Sequence, residues 1–339
     1  MHWSIAAPFF EEGSISEAGW LDDFIDPKFH TFTKIPRRRQ KKARSWHHRT
    51  SRNTTLSGWS TIWMQASEAW QTTQGGVITV FPQLAAMVGL KKRLSRRKTP
   101  IVAWCYNVGA LYEGARKSLA RLSSSRIDHF VVHSRRECET VSRWLGLPES
   151  RFTFVPLQRA PIAITEREDL DDPFILSMGS ANRDYATFFE AVKKLGHRTL
   201  VVASSHSING LEIPPNVELL PPQTHDECHR LTQRARLSVV PLIEHHTAAG
   251  QVTIIEAQRM RRPVISTRSP GSEDYVDHGK TGILVAPGAV DELAREIDHL
   301  WNNQDLRDSI SRQAGRFAEE QLSDEVAGDN LKAILDRFV

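Results

Sequence analysis

The chain has 339 residues, of which 40% are hydrophobic, and a formal net charge of +4. This length suggests about two domains, and the hydrophobic content is enough to bury two ordinary cores. The three cysteines, Cys105, Cys138 and Cys228, are too scattered for a disulfide framework or a Cys-x-x-Cys metal site. The sequence also lacks a basic start followed by an apolar run, and any stretch of about 20 apolar residues. We therefore expect a cytoplasmic protein that is neither secreted nor membrane-spanning.

The charge is unevenly distributed along the chain. Between Pro27 and Tyr112 there are sixteen Lys or Arg but one acidic residue, Glu68, and the basic residues cluster at 34–52 and 91–98. Three explanations are open: a solvated or flexible basic loop, a patch for anionic lipid head groups, and a nucleic-acid surface. Nucleic acid has the least support, because the chain has no zinc-finger spacing and no basic leucine-zipper heptads.

Aromatic residues accompany the basic clusters, and Trp46 lies inside the first. Five apolar residues recur at three- or four-residue spacing and would share a helix face: Trp59, Ile62, Trp63, Ala66 and Trp70. A basic and aromatic face is typical of segments that lie on membranes. The alternative is an ordinary core helix, which is the better interpretation for Trp63 and Trp70. The residues assigned to an acceptor or membrane surface are Gly13, Arg37, Arg38, Arg39, Trp59, Trp63, Lys91, Lys92 and Arg93.

Strands and helices alternate through the first half of the chain. A strand is predicted at His2–Phe9, broken at Pro8, followed by a helix at Ser16–Ile25 and a strand at Phe29–Ile35. The basic segment 37–57 reads as a long mobile loop or as a helix that orders on a partner. Apolar runs then predict buried strands at Gly76–Phe81, Ile101–Tyr106, His129–Ser134 and Phe152–Pro156, with a helix at Leu84–Leu94 and another after Ser134 that opens with a capping box to Glu137.

The second half repeats this alternation after a stretch of linker composition at 158–173. Asp169, Asp171 and Asp172 lie in that stretch, and a charged linker explains them better than a metal site does. Strands are predicted at Phe174–Met178, Leu200–Ala203, Val217–Leu220 and Leu237–Pro241, and helices at Val290–Trp301, Leu306–Gln321 and Asp329–Phe338.

The segment 250–287 is the most informative part of the chain. Gly250 allows a tight turn, and Val252–Met260 reads as an amphipathic helix whose first amides have no partners within the helix. Those amides and the helix dipole favour a bound phosphate, and Glu256 lies one turn further in, where it suits the hydroxyls of a ribose. A β-branched strand, Pro263–Thr267, follows.

This order of features resembles the donor-binding half of the GT-B glycosyltransferases, specifically the retaining family 4 or group 1 type. In that family two Glu separated by seven residues precede a Pro-Val-Ile strand, an acidic Gly-turn and Gly-x-Thr-Gly-x-Leu-Val-x-Pro, here Gly279–Pro287. The resemblance covers 174–301 well. It implies an α/β GT-B fold with two Rossmann-like, doubly wound parallel-sheet domains facing a central cleft. The domains would be 1–157 and 174–325, joined by linker 158–173, and a C-terminal helix at 326–339 would pack back on the N-terminal domain.

The resemblance also assigns the nucleotide contacts. Arg183 matches the usual Lys of a basic pair that neutralises the donor diphosphate, while Ser180 replaces the usual Arg; a surface Arg at a helix start is the alternative for Arg183. The residues assigned to the nucleotide are Gly179, Arg183, Leu220, Gly250, Gln251, Val252, Thr253 and Glu256. Catalysis is assigned to Asn107, Arg183 and Glu256.

Departures from the family pattern affect the sugar and acceptor sides. Ala248 stands where the family has the carboxylate that holds the donor sugar. The residues assigned to the sugar are therefore Glu244, His245, Ala248 and Ala249. Exposed loop residues without a role in binding are the alternative for Glu244 and His245. Only Gly13 represents the family's Gly-rich loop. Asn107 follows a strand end where ligands bind in doubly wound sheets and where the family often has a His. A structural role in turning the chain is an equal alternative for Asn107.

The implied reaction is transfer of a sugar, with retention, from a nucleotide-diphosphate sugar, UDP being the expected nucleotide, to an acceptor hydroxyl. We expect no metal or other cofactor, because no His, Cys or carboxylate cluster is apparent. The basic, aromatic first domain suggests a lipid-linked or glycan acceptor of polysaccharide or glycolipid biosynthesis, and an enzyme peripheral on the inner face of the cell membrane. Two alternatives stay open: a GT-B protein that binds nucleotide sugars without turnover, and a nucleotide-sugar epimerase.

Overall fold

The computed structural model describes residues 1–12, 19–37 and 56–339, apart from the side chains of Leu56 and Ser57. It divides into two compact units, Met1–Val155 with Asp324–Val339, and Pro156–Ser323. Each unit contains a six-stranded parallel sheet with flanking helices, which confirms the predicted α/β class. The residues 158–173, predicted as a linker, lie within the second unit, where Gln233 accepts a hydrogen bond from the amide of Thr165.

The sheet of the first unit has the strand order β2-β1-β3-β4-β5-β6. Its inner strands β3, β4 and β5 are short apolar runs that are buried on both faces, as expected for a parallel sheet covered by crossover helices, whereas the edge strand β2 is partly exposed. The strands are β1 His2–Glu11, β2 Thr31–Arg37, β3 Gly76–Val80, β4 Ile101–Trp104, β5 His129–Val132 and β6 Phe152–Phe154; the helices are α1 Leu56–Thr72, α2 Pro82–Leu94, α3 Ala115–Ser124 and α4 Arg135–Leu145.

Three local predictions for the first unit are wrong. Strand β1 continues past Pro8, because its pairing with β2 is already irregular between Ala6 and Glu11, so that proline interrupts no regular ladder. Within 19–25, where a helix was predicted, there is a 3-10 turn at Leu21–Phe24; residues 16–18 lie outside the described residues. The predicted capping box is not formed, since the side chain of Ser134 makes no capping hydrogen bond and Glu137 is buried.

The sheet of the second unit has the order β12-β11-β10-β7-β8-β9. The direction of winding reverses between β7 and β10, and in such sheets ligands bind beyond the carboxyl ends of the strands at this point. The strands are β7 Ile175–Met178, β8 Thr199–Val202, β9 Val217–Leu220, β10 Leu237–Val240, β11 Val264–Thr267 and β12 Ile283–Val285; the helices are α5 Tyr185–Leu195, α6 Ser205–Ile208, α7 His225–Arg234, α8 Gln251–Arg259, α9 Val290–Asn302 and α10 Gln304–Gln321.

The chain returns to the first unit in its last helix, α11 (Asp324–Leu335). Leu331 and Ile334 of this helix are buried in the same cluster as Trp3 and Ile5 of β1, so the last helix completes the core of the first unit. Across the described ranges of the chain, the helices are either too short or too polar to cross a bilayer.

Candidate functional site

Two glycines shape the switch point of the second unit. Gly179 directly follows β7 with a φ of 105°, and Gly250 precedes α8 with a φ of 84°. A Cβ atom at Gly250 would lie 3.1 Å from a side-chain carbon of Val240 and 3.2 Å from side-chain carbons of Leu242. The positive φ favours glycine, and these tight contacts leave little room for a larger residue, so the start of α8 lies directly against the end of β10.

Arg183 is fixed between these two turns. Its guanidinium donates hydrogen bonds to the carbonyl oxygens of Met178 (3.1 Å) and Ala181 (2.9 Å) and to Oγ1 of Thr253 (3.1 Å). Burial lowers the pKa of Arg183, but a guanidinium still stays cationic at neutral pH. The structure thus brings together Arg183, Gly179 and Thr253, three of the residues assigned to the nucleotide.

The first turn of α8 lies beside this cation. The amides of Gln251, Val252 and Thr253 belong to the helix start, where backbone donors have no partner inside the helix. Gln251 is buried, Thr253 is half-buried and Val252 is exposed. A fixed guanidinium next to a helix N-terminus favours an anion on both charge and hydrogen-bonding grounds.

Glu256, the predicted ribose ligand, is buried in a cluster of basic side chains. Its Oε1 lies 3.2 Å from the guanidinium of Arg159, 3.3 Å from Nε2 of His225 and 3.8 Å from Nε2 of His229. Burial is the largest influence on His229 and lowers the pKa of its ring. The carboxylate is therefore already surrounded by donors of this chain.

The expectation that no His and carboxylate cluster exists is wrong. His225, His229 and Glu256 each offer a ligand atom, and these atoms lie within 4.8 Å of one another. The two histidines are four residues apart on α7, a spacing that puts side chains on one helix face and was visible in the sequence. Their approach to Glu256 was not visible, because it depends on how α7 packs against α8.

The residues assigned to the donor sugar form the loop after β10. Glu244 is exposed, Ala249 is half-buried and Ala248 is buried. Nδ1 of His245 lies 2.8 Å from Oγ1 of Thr247, so this histidine is engaged within its own loop. Leu220, assigned to the nucleobase, ends β9 and is half-buried.

Asn107 belongs to the first unit and lies three residues after Trp104, the end of β4. Its Oδ1 accepts a hydrogen bond from the amide of Gly109 at 2.9 Å, and Gly109 has a φ of 67°. This bond is the chain-turning role that the sequence left open. The catalytic role remains a prediction.

On α1, the tryptophans assigned to the acceptor surface are exposed. Trp59 is 38% and Trp63 43% exposed, so the interpretation of Trp63 as a core residue is wrong, whereas Trp70 is buried as predicted. The ammonium of Lys91 lies 3.5 Å from the ring centre of Trp63, a cation–π contact. Trp59, Trp63 and Lys91 therefore present aromatic and basic groups together.

The other residues assigned to this surface are less suited to it. Lys92 is an internal partner, since its ammonium pairs with Asp128 and its side chain is 11% exposed. Arg93 donates to Oγ of Ser125 at 3.3 Å. Arg37 ends β2, and its carbonyl accepts from the amide of Glu12. Gly13, Arg38 and Arg39 lie outside the described residues, as does Trp46.

Comparison with known proteins identifies the second unit. Residues 172–303 match the family model of the glycosyl transferases group 1. The chain is 32% identical over 95 residues to the capsular polysaccharide biosynthesis glycosyltransferase CapM of Staphylococcus aureus, covering 28% of this chain and 25% of that protein. It is 24% identical over 252 residues to the alpha-D-kanosaminyltransferase of Streptomyces kanamyceticus, covering 69% of this chain and 63% of that protein. The chain thus spans less than two thirds of either relative.

Solved structures with the same architecture cover nearly the whole chain. Sucrose-phosphate synthase from Thermosynechococcus elongatus matches with a TM-score of 0.73 at 14% identity, covering 99% of this chain and 98% of that one. Anabaena Alr3699/HepE in complex with UDP matches with a TM-score of 0.69 at 13% identity, covering 99% and 100%. These likenesses establish the fold. With the family match, they show a chain of GT-B fold in which residues 172–303 are of the glycosyl transferases group 1 type.

Proposed function

We propose that this chain transfers a sugar from a nucleotide-diphosphate sugar to an acceptor hydroxyl. The observation that carries the proposal is the fixed guanidinium of Arg183, hydrogen-bonded to Thr253 at the N-terminus of α8. The UDP complex of the Anabaena neighbour supports UDP as the nucleotide.

The chemistry follows from the charge that develops on the leaving group. As the bond between the sugar carbon and the diphosphate oxygen breaks, negative charge accumulates on the diphosphate. A cation and amide donors already aimed at that position stabilise the transition state more than the ground state. Arg183 is held by two backbone carbonyls, so little reorganisation is needed when the charge appears. We also propose retention at the sugar carbon, which rests on the family resemblance.

For the acceptor we propose a lipid-linked or glycan substrate of polysaccharide biosynthesis at an anionic membrane surface. The relative named for capsular polysaccharide biosynthesis supports this substrate class. The exposed Trp59 and Trp63, with Lys91 against the second ring, are of the kind found at membrane interfaces.

The donor proposal is tested by calorimetric titration with UDP, GDP and their sugars. We expect saturable binding of one nucleotide and its sugars. An absence of binding at millimolar nucleotide would contradict the donor site.

Turnover separates the transferase from the alternatives. Release of nucleoside diphosphate that requires an added acceptor, with a product whose anomeric configuration matches the donor by NMR, supports a retaining transferase. Binding without turnover over a panel of lipid-linked and glycan acceptors would favour a non-catalytic binding protein. Conversion of the nucleotide sugar to its epimer without acceptor would identify an epimerase.

A further inference from the structure

The cluster of His225, His229 and Glu256 has a geometry that the donor chemistry does not require. The two histidines lie on α7 and the glutamate lies on α8. Their three ligand atoms lie within 4.8 Å of one another. Nε2 of His229 is buried and has no hydrogen-bond partner among the described residues. An unsatisfied buried nitrogen facing a carboxylate is costly unless something binds it.

We propose that His225, His229 and Glu256 form a binding site for a divalent transition metal of the zinc type. Imidazole nitrogen and carboxylate oxygen are the donors that Zn²⁺ takes in proteins, and two histidines with one acid leave an open position for water or a ligand.

The separations between the donor atoms fit such an ion. Two ligands that are each about 2.0–2.1 Å from a tetrahedral ion lie roughly 3.4 Å apart. The distances from Oε1 of Glu256 are 3.3 Å to Nε2 of His225 and 3.8 Å to Nε2 of His229. The ligand atoms of all three residues lie within 4.8 Å of one another, so an adjustment of the side chains brings them around one ion.

The elements that carry the ligands are fixed. Thr224 caps α7 by accepting the amide hydrogen of Glu227, and Glu227 in turn accepts from the amide of Thr224. Glu256 is buried on α8, and its Oε1 also lies 3.2 Å from the guanidinium of Arg159, which an ion bound to that oxygen would displace. His225, in contrast, has a side chain that is 65% exposed, so an ion can enter from solvent.

Without a metal, the alternative is that His225 simply donates a hydrogen bond to Glu256. The experiment is a calorimetric titration of the tag-free, full-length protein with Zn²⁺, in the absence of nucleotide. We expect one site in the wild type, at least about tenfold weaker binding in His225→Ala and His229→Ala, and loss of the site in the double variant, since even an outer-sphere partner costs ~10–100-fold. His299→Ala, which removes an exposed histidine of α9, should bind as the wild type does.

Cobalt provides a second readout. Co²⁺ at a four- or five-coordinate site of this kind should give a visible absorption band that is absent from the double variant and retained in His299→Ala. Wild-type protein without a zinc site, or a double variant that binds zinc as tightly as the wild type, would overturn the proposal. His225→Ala keeps the test valid if His229→Ala misfolds, because the side chain of His225 is largely solvent-exposed.

The metal site shares Glu256 with the proposed ribose contact. Competition between the ion and UDP therefore rests on the proposed function. A bound ion would occupy the carboxylate that the ribose needs, so saturating Zn²⁺ should weaken UDP binding several-fold more in the wild type than in the double histidine variant. Chelation of zinc by UDP itself affects both proteins equally. An equal effect in the two proteins would contradict the shared carboxylate, whereas failure of UDP to bind at all would refute the donor site and leave the zinc titration unaffected.

Discussion

Arg183 is held by three hydrogen bonds within its own unit, two to backbone carbonyls and one to Thr253. The carbonyls fix the position of the guanidinium, and the third bond links it to the start of α8. Gly179 allows this arrangement, because a Cβ at that position would lie 2.6 Å from Nη2 of Arg183. A single charged side chain is thus positioned by the turn after β7 and by the helix after β10.

Replacing Arg183 with alanine should weaken UDP binding about ten- to a hundredfold, since a hydrogen bond to a charged group contributes roughly 1.5–3 kcal/mol. The UDP affinity of Arg183→Lys should lie between those of the wild type and Arg183→Ala, because lysine keeps the charge but loses the planar guanidinium. Calorimetry measures both, with Arg295→Ala on the exposed face of α9 as the control. Wild-type affinity in a folded Arg183→Ala protein would exclude this residue from the site.

Among the secondary-structure elements, α8 depends most on its first turn. Gly250 supplies a positive φ and also packs directly against Val240 and Leu242. Gly279 has a nearly identical φ of 80° but has no atoms within 4 Å of the position that a Cβ would take. Comparing substitutions at the two glycines therefore distinguishes the effect of backbone strain from the effect of close packing.

Gly279→Ala should lower the free energy of unfolding by about 1–2 kcal/mol, the cost of a left-handed conformation for an L-residue. Gly250→Ala should lower the free energy of unfolding further, because the added Cβ also displaces Val240 or Leu242. Gly250→Ala should also weaken UDP binding, whereas Gly279→Ala should leave UDP binding unchanged. Urea denaturation and calorimetry measure these effects. Equal losses of stability and equal affinities in the two variants would show that the packing at Gly250 does not position α8.

Helix α1 shows where periodicity misleads. The spacing placed the tryptophans on one helix face with Ile62 and Ala66, but the helix buries Ile62, Ala66 and Trp70 together with Gln65, and exposes Trp59 and Trp63. Gln65 can be buried because its amide donates to the carbonyl oxygens of Ala7 in β1 (2.9 Å) and Ile35 in β2 (2.8 Å). A polar residue was thus placed in the core by partners that are remote in sequence.

The exposed Trp59 and Trp63 predict that the whole protein associates with membranes. Wild-type protein should float with liposomes that contain anionic lipid and not with neutral ones, because aromatic insertion and attraction of basic groups act together. Trp59→Ala/Trp63→Ala should reduce recovery several-fold. Leu119→Ala on α3, which removes a 59% exposed side chain, is the control. Recovery that is independent of lipid charge, or unchanged in the tryptophan variant, would refute the surface.

Stability against acid is a second property of the chain as a whole. Burial lowers the pKa of His129 and of His133 to about 4, below the ordinary value near 6.5. Between these values the unfolded chain binds protons that the folded chain does not. The stabilisation is therefore fully present above about pH 6.5 and is lost as the pH falls towards 4, by at most about 3 kcal/mol for each histidine.

We expect the urea concentration at the unfolding midpoint of wild-type protein, measured by tryptophan fluorescence, to be lower at pH 4.5 than at pH 7.5. His133→Gln should show a smaller fall, although Nδ1 of His133 donates to the carbonyl of Val155 and its replacement also lowers stability at pH 7.5. An identical pH dependence in the variant and the wild type would show that this histidine is not linked to acid unfolding.

Much of the fold could be predicted from local sequence. The buried strands at Gly76–Val80, Ile101–Trp104, Ile175–Met178 and Leu237–Val240 are apolar runs, and a run buried on both faces needs no distant information to be recognised. The glycine before α8 and the helix that follows it were recognisable for the same reason, since both depend on residues adjacent in the chain.

The partners of the charged side chains depended on tertiary structure. Lys92 was assigned to an outer surface but pairs with Asp128, and Glu256 is met by Arg159 and by His225 and His229 of another helix. An ion pair or a ligand set requires atoms within a few ångströms, and the packing of helices on a sheet brings together side chains whose separation in the sequence carries no signal. The sequence therefore predicted a nucleotide-sugar transferase, while the folded chain decided which of its polar residues pair with one another.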